Sequence, residues 1–397
     1  MKKLSFLLAI VLILSFSLTA CAKPAEQATA ETPAAETPAA EGDTIRIGVF
    51  EPITGANAGG GALEVEGIKL ANKLYPEVLG KKVELVIVDN KSDKVEAANA
   101  AALLVEKEKV AAIIGSWGSS LSMAAGDIVR NAKVPTVGAS CTNPLVTLNN
   151  DFYFRVCFID PFQGTVMANY AFNKLGAKKA AIIQEVSNDY SVGLAKFFVD
   201  SFKALTGDEN SIVATSNYNT GDQDFTAQLT NVSAAKPDVI FAPGNFTESA
   251  LLIKQARQLG ITVPIIGGDT WETPEFIDIG QADVEGTVFS TFFATEKPIT
   301  AESEKFLAEY RKEYNKEPAA VTALGYDAYI LILDAIERAG SADPIKIRDE
   351  LAKTKDFMGA AGVITLDENG DAVKDAVIKV VKDGKFTYMD TVKPEMK

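Results

Sequence analysis

"IIGSWGSSLSMAAGDIV", residues 113–129, carries the pattern that decides the fold. An apolar run of strand length ends at Gly115. Small and hydroxylated residues then surround one tryptophan, and a helical apolar rhythm follows. Strand, small-residue turn and helix start are the parts of a parallel βαβ unit. The turn also sets backbone N–H groups where an anion can be held.

The same rhythm extends in both directions. Upstream, "TIRIGVF" and "KVELVIVDN" read as strands, followed by helices at 64–75 and 95–107; the glycine-rich "NAGGG" lies in the loop before the first. Downstream come the helix 122–131, the strand "VPTVGAS" and, after "FYFRVCF", a second series. There the helices 162–175, 192–205, 225–235 and 247–259 alternate with "KKAAIIQE", "IVATSNY", "PDVIFAPG" and "VPIIGGD". This alternation predicts an α/β protein with two doubly wound, Rossmann-like lobes in tandem.

The last third changes rhythm. The strand "GTVFSTFF" leads to helices at 301–314, 319–339 and 345–353, and a final hairpin turns at Asp383-Gly384. These elements must pack on one lobe or the other. The expected division is 44–161 with 292–365 as lobe 1 and 162–291 with 366–397 as lobe 2. Three crossovers near Asp160, Thr291 and Leu366 would form the hinge, with a ligand cleft between the lobes.

Lys2 and Lys3 precede the apolar run 4–14, and "LTAC" ends at Cys21. A basic start, a short apolar stretch and a small-residue site predict a secretory signal over 1–20. The "LTAC" end resembles a bacterial lipobox, which implies cleavage before Cys21 and lipid on its thiol. Residues 21–43 are rich in Ala, Pro, Glu and Thr without apolar period, as expected of a solvated tether. The expected location is extracytoplasmic, with the membrane reached through that lipid.

The chain's formal charge of −14, without a basic block, argues against nucleic acid as a partner. It contains no histidine, which removes Ser-His-Asp and Cys-His chemistry and the commonest zinc ligand. No metal or cofactor is expected: the glycine-rich loops lack both the P-loop and the GxGxxG spacing. Cys141 and Cys157 could pair, but two buried free thiols are the expected state.

In open α/β sheets ligands bind beyond the carboxyl ends of strands. At those exits stand Trp117, Ser119 and Ser120, then Thr142, then Tyr190, and finally Asp269 and Trp271. Each has a plainer role available: Ser119 and Ser120 as helix caps, Thr142 as a turn residue, Asp269 in solvating a loop, Tyr190 and the tryptophans in packing. Together they divide by chemistry. Hydroxyls and N–H groups on one lobe suit a carboxylate, while an acid and aromatics on the other suit an ammonium and an apolar group.

Over nearly the whole length from Thr44, the segments "DNKSDKVEAANAAALLVEKEKVAAIIGS", "VPTVGASCTNPLVT", "FRVCFIDPFQGTVMA", "NDYSVGLAK", "GDQDFTAQLT" and "ALGYDAYILILDAIERAG" resemble the leucine/isoleucine/valine-binding lipoproteins of branched-chain amino acid ABC importers. That resemblance implies a type I periplasmic-binding-protein fold. It also implies a free amino acid as ligand, an ABC permease as partner, and a monomer that is not an enzyme. Carried over by position, Ser119, Ser140 and Thr142 would hold the ligand's carboxylate and ammonium, Tyr190 would close over it, and Asp269 would face the ammonium. Asn245 and Phe246 stand where the family commonly has tyrosine. "NAGGG" stands where it often has a bulky aromatic, which implies a roomier side-chain pocket. A family member for another amino acid, an amide or an aromatic acid, a receptor-type sensor, and an amidase-like enzyme are the alternatives.

Overall fold

The computed structural model describes residues 44–394; the predicted signal, Cys21 and the tether lie outside the described residues. The first sheet contains β1 (Thr44–Glu51), β2 (Glu77–Val78), β3 (Lys81–Asp89), β4 (Ala112–Ile114), β5 (Thr136–Gly138) and β6 (Tyr153–Arg155), in the order 2-3-1-4-5-6. All its pairings are parallel except the short β2–β3 ribbon. Helices α1 (Ala58–Leu74), α2 (Lys94–Glu106) and α3 (Ser119–Ala132) connect the strands. The apolar "IRIGVF" of β1 is sandwiched between β3 and β4, and its outer neighbours lie on opposite sides. This reversal opens a crevice at the carboxyl ends of β1 and β4.

The second sheet repeats the design with β7 (Ala180–Glu185), β8 (Ile212–Tyr218), β9 (Val239–Phe241), β10 (Ile265–Gly267) and β11 (Val288–Thr291). Its crossovers are α4 (Asp160–Asn169), α5 (Asp189–Thr206), α6 (Thr226–Ala234), α7 (Phe246–Gln258) and α8 (Pro274–Gly280). After it come α9 (Ala301–Tyr314), α10 (Ala320–Ala339), α11 (Pro344–Leu351) and the small sheet of β12 (Phe357–Gly359), β13 (Gly362–Leu366) and β14 (Ala372–Val373). The chain then returns to add β15 (Ala376–Lys382) and β16 (Lys385–Val392), giving the order 16-15-11-10-9-7-8. The final turn is the one read from Asp383-Gly384, and both residues have the positive φ of a tight hairpin.

Every residue from 320 to 333 in α10 is buried, including Asp327, whose carboxylate accepts from the Ala361 N–H at 2.9 Å. The helix crosses α1 at near backbone contact. A Cβ on Gly67 would lie 1.9 Å from the Thr322 carbonyl oxygen, and one on Gly325 would lie 2.4 Å from that of Glu64. Tyr329 ties the crossing off, donating to the Tyr75 carbonyl at 2.7 Å and accepting from Asn72 at 2.8 Å.

Two elements depart from the sequence expectation. Helix α1 starts at Ala58, not at 64, because glycines 59–61 continue the helix. The expected helix 162–175 splits into α4 and a π turn at Tyr170–Lys174.

The Gly67→Ala variant is expected to lose about 1–3 kcal/mol through forced separation of α1 and α10. Urea unfolding measures this, and an unchanged midpoint would show that the crossing has room to spare.

Candidate functional site

The loops leaving β1, β4 and β5 meet those leaving β7, β9 and β10 across a cleft. Asn245 donates to Asn57 at 3.0 Å, Ser120 to the Asp189 carboxylate at 2.7 Å, and Asn143 to the Asp189 carbonyl at 2.8 Å. Lys94 pairs with Asp189 at 3.0 Å. The cleft wall includes Asn57, Trp117, Ser119, Ser140, Tyr190 and Asn245.

On the first lobe, α3 starts directly after the turn that follows β4. Gly118 is its cap residue, with a φ of 91°, and no side chain caps the helix. Capping therefore does not explain the two serines. Ser119 Oγ accepts from the Asn143 N–H at 3.0 Å, and Ser120 Oγ both donates to and accepts from Asp189. Ser119 is thus fixed at the positive end of a helix whose first amides carry no side-chain acceptor, beside Ser140 in the same wall. Thr142, two residues on, is fully buried, and its hydroxyl has no hydrogen-bond partner among the described residues.

On the second lobe, Asp269 begins a short 3-10 turn after β10 and is 2% exposed. Its carboxylate accepts from Gln163 at 2.7 Å and from the Tyr190 hydroxyl at 3.0 Å. Burial raises its pKa from 3.8 to about 6, and those two donors hold it from going higher. Asp269 itself lies behind the cleft wall, where it holds the hydroxyl of Tyr190, which is part of that wall.

The periplasmic binding protein family model matches residues 44–385. The chain belongs to that family. It is 46% identical to the leucine binding protein LivK of Thermotoga maritima, at a TM-score of 0.86, covering 88% of this chain and 99% of that one. It is 36% identical to the branched-chain amino acid transporter substrate binding protein LivJ of Streptococcus pneumoniae, a structure in complex with isoleucine, at a TM-score of 0.83 over 88% and 100% of the two chains. A Leu/Ile/Val-binding protein homolog of Brucella melitensis is 29% identical over 334 residues, 82% of this chain and 88% of that protein.

Within this periplasmic binding protein, the structure corrects two sequence expectations. Trp271 is not a wall of the cleft. Its ring stacks on Phe276 with centroids 5.0 Å apart, lies 6.3 Å from Phe289, and covers Gly267, so it belongs to the core of the second lobe. Nor do the first-loop glycines leave a roomier rim. A Cβ on Gly60 would sit 2.3 Å from the Trp117 ring, and one on Gly61 would sit 2.3 Å from the Pro52 carbonyl oxygen. Trp117 fills the room that Gly60 leaves, and meets Phe246 edge-on at 6.1 Å.

Sequence reasoning passed over a pair of acids beside this site. Glu51 at the end of β1 and Glu64 on α1 are fully buried against each other. Glu51 accepts from the Trp117 N–H at 2.6 Å, and Glu64 accepts from the Ser140 hydroxyl. The sequence signal was Glu64 itself, a charge between Leu63 and Val65 on the buried face of a helix. Burial pushes the Glu64 carboxyl up from 4.5 to about 8 and raises Glu51 well above its ordinary range; the Glu64 charge adds to the rise at Glu51. At neutral pH both carboxyls therefore stay largely protonated, and their carbonyl oxygens accept from Trp117 and Ser140.

For Glu64, the folded state holds its proton to higher pH than the unfolded state does. Its contribution is therefore complete below about pH 4.5 and declines until about pH 8. Glu64→Gln, which offers a permanent N–H in place of the titrating proton of Glu64, should flatten that decline. Melting temperatures from pH 5 to 9 test it. Parallel profiles for variant and wild type would assign the proton elsewhere.

Proposed function

We propose that this periplasmic binding protein captures one free α-amino acid with an aliphatic side chain and delivers it to an ABC permease. The observation that carries the reading is the division of the cleft. Ser119, Ser140 and the open start of α3 lie on one lobe, and Asp269 with Tyr190 on the other. An α-carboxylate fits the first set and an α-ammonium the second. Trp117, backed edge-on by the buried Phe246, supplies an apolar surface for the side chain. The leucine- and isoleucine-binding relatives support the same ligand class.

In this reading 44–161 with 292–365 moves as one lobe and 162–291 with 366–397 as the other. Ligand bridges them and draws the equilibrium to the closed form, since only that form offers both halves of the site. The protein works as a monomer outside the cytoplasmic membrane, tethered by a lipid on Cys21, and carries out no covalent chemistry.

A thermal-shift screen of the twenty amino acids is the direct experiment. A ligand at about 100 times its Kd stabilises by roughly 2.7 kcal/mol, a clear shift in melting temperature. No response to any amino acid would reject the reading. Because Asp269 must be ionised to pair with an ammonium, affinity should fall about tenfold per unit below pH 6. Asp269→Asn should weaken binding and abolish that pH dependence; calorimetry at pH 5 and 7.5 checks both. Cys21→Ala should move the protein from the membrane to the soluble fraction with its ligand affinity intact, and retention in membranes would exclude the lipid anchor.

A further inference from the structure

Two crossover helices, one from each sheet, meet start to start beside the cleft. Ser120 is the second residue of α3, and Asp189 is the first of α5. Each helix start carries roughly half a positive charge, so their approach is unfavourable by itself. Lys94, the first residue of α2, brings its ammonium to the same place. Helix α3 has no acid of its own in its first turn.

One residue offsets all three. Asp189 is not needed as a cap of its own helix, because Asn188 fills that role by accepting from the Tyr190 N–H at 3.1 Å. Its side chain instead reaches across the cleft. Asp189 Oδ2 accepts from Ser120 Oγ at 2.7 Å and from Lys94 Nζ at 3.0 Å. Its backbone makes two more bonds to the same side: the N–H donates to Ser120 Oγ at 3.0 Å, and the carbonyl accepts from Asn143 Nδ2 at 2.8 Å. A Cβ on Gly193 would lie 2.7 Å from that Asn143 nitrogen, so the last bond needs a glycine one turn along α5. Partial burial acts to raise the Asp189 pKa, but the Ser120 hydroxyl and Lys94 hold it below the usual carboxylate range, and the charge is present at neutral pH. Lys94, Ser120, Asn188 and Tyr190 line the cleft, whereas Asp189 stands outside that lining with its side chain 44% exposed.

We propose that Asp189 is the latch of the closed cleft: a positioning residue that holds the two lobes together without touching the ligand. This inference rests on the reading of a cleft that closes on an amino acid, and it adds what sets the strength of closure. Such a latch favours the closed form by the same factor whichever amino acid is inside. It raises affinity and slows release for every ligand, and leaves the choice between ligands to the residues that touch them.

The test measures L-leucine, L-isoleucine and L-valine by calorimetry. Asp189→Asn keeps the shape and removes the charge. It should weaken all the ligands by a common factor of about 3–30, between an exposed ion pair and a hydrogen bond to a charged group. Ser120→Ala on the opposite lobe should weaken binding too, and the double variant should lose less than the product of the two. A role confined to the start of α5 predicts a lower melting temperature with unchanged affinity. That result, losses that multiply, or losses that reorder the ligands would overturn the proposal. Closure is also read without any choice of ligand. Spin labels on the exposed positions Asp127→Cys of α3 and Lys196→Cys of α5 report the distance between the lobes by double electron–electron resonance. Asp189→Asn should shift the distribution to longer distances, and identical distributions would reject the latch. If wild type binds none of these amino acids, the aliphatic reading falls, and the label distances still decide for or against the latch.

Discussion

The burial of four carboxyl groups is the constraint around which the cleft is built. Glu51, Glu64, Asp160 and Asp269 are all buried in and beside it, while the buried guanidinium of Arg155 is occupied by Asp371. Isolated carboxylates in such surroundings are untenable, so each must find hydrogens or hold its proton. Glu51 and Glu64 hold theirs. Asp269 recruits Gln163 and Tyr190. The rest of the site follows from these solutions: Trp117 and Ser140 are fixed by the acid pair, and Tyr190 is fixed by Asp269.

A second buried charge works at the seam. Glu272 pairs with Lys379 of β15 at 2.6 Å, and it also accepts from Thr291 at the end of β11 and from the first amide of α10. One carboxylate thereby joins the loop after β10, the last parallel strand of its sheet and the helix that crosses α1. With the Lys379 ammonium beside it and donors on both oxygens, this carboxylate has the partners a buried charge needs.

The lobes and strand exits were legible in the sequence because both rest on local pattern. Apolar runs of strand length alternate with helical periods, and ligand-facing residues follow strands in a doubly wound fold. The placement of Ser119, Thr142, Tyr190 and Asp269 at strand exits needed no more than that. What stayed hidden depends on contacts between distant segments. The partnership of Gly60 with Trp117 joins the start of α1 to the turn after β4, and neither residue announces the other. Trp271 follows a strand exit like Trp117, yet packs inward because Phe276 and Phe289 wait there. Glu51 looks like any acid ending a strand until Glu64 is folded against it. Asp160 and Gln163 lie within a helix start that reads as an ordinary crossover.

The crossing of α1 on α10 also bears on how the chain comes to life. Helix α1 begins at residue 58, and the helix whose backbone it touches ends at residue 339. Synthesis must run through the whole second βαβ series before that partner exists. Until then the face of α1 around Gly67 waits for a surface not yet present, and long-range pairings of this kind form slowly. The first lobe thus stays unclosed until nearly the whole chain has been made.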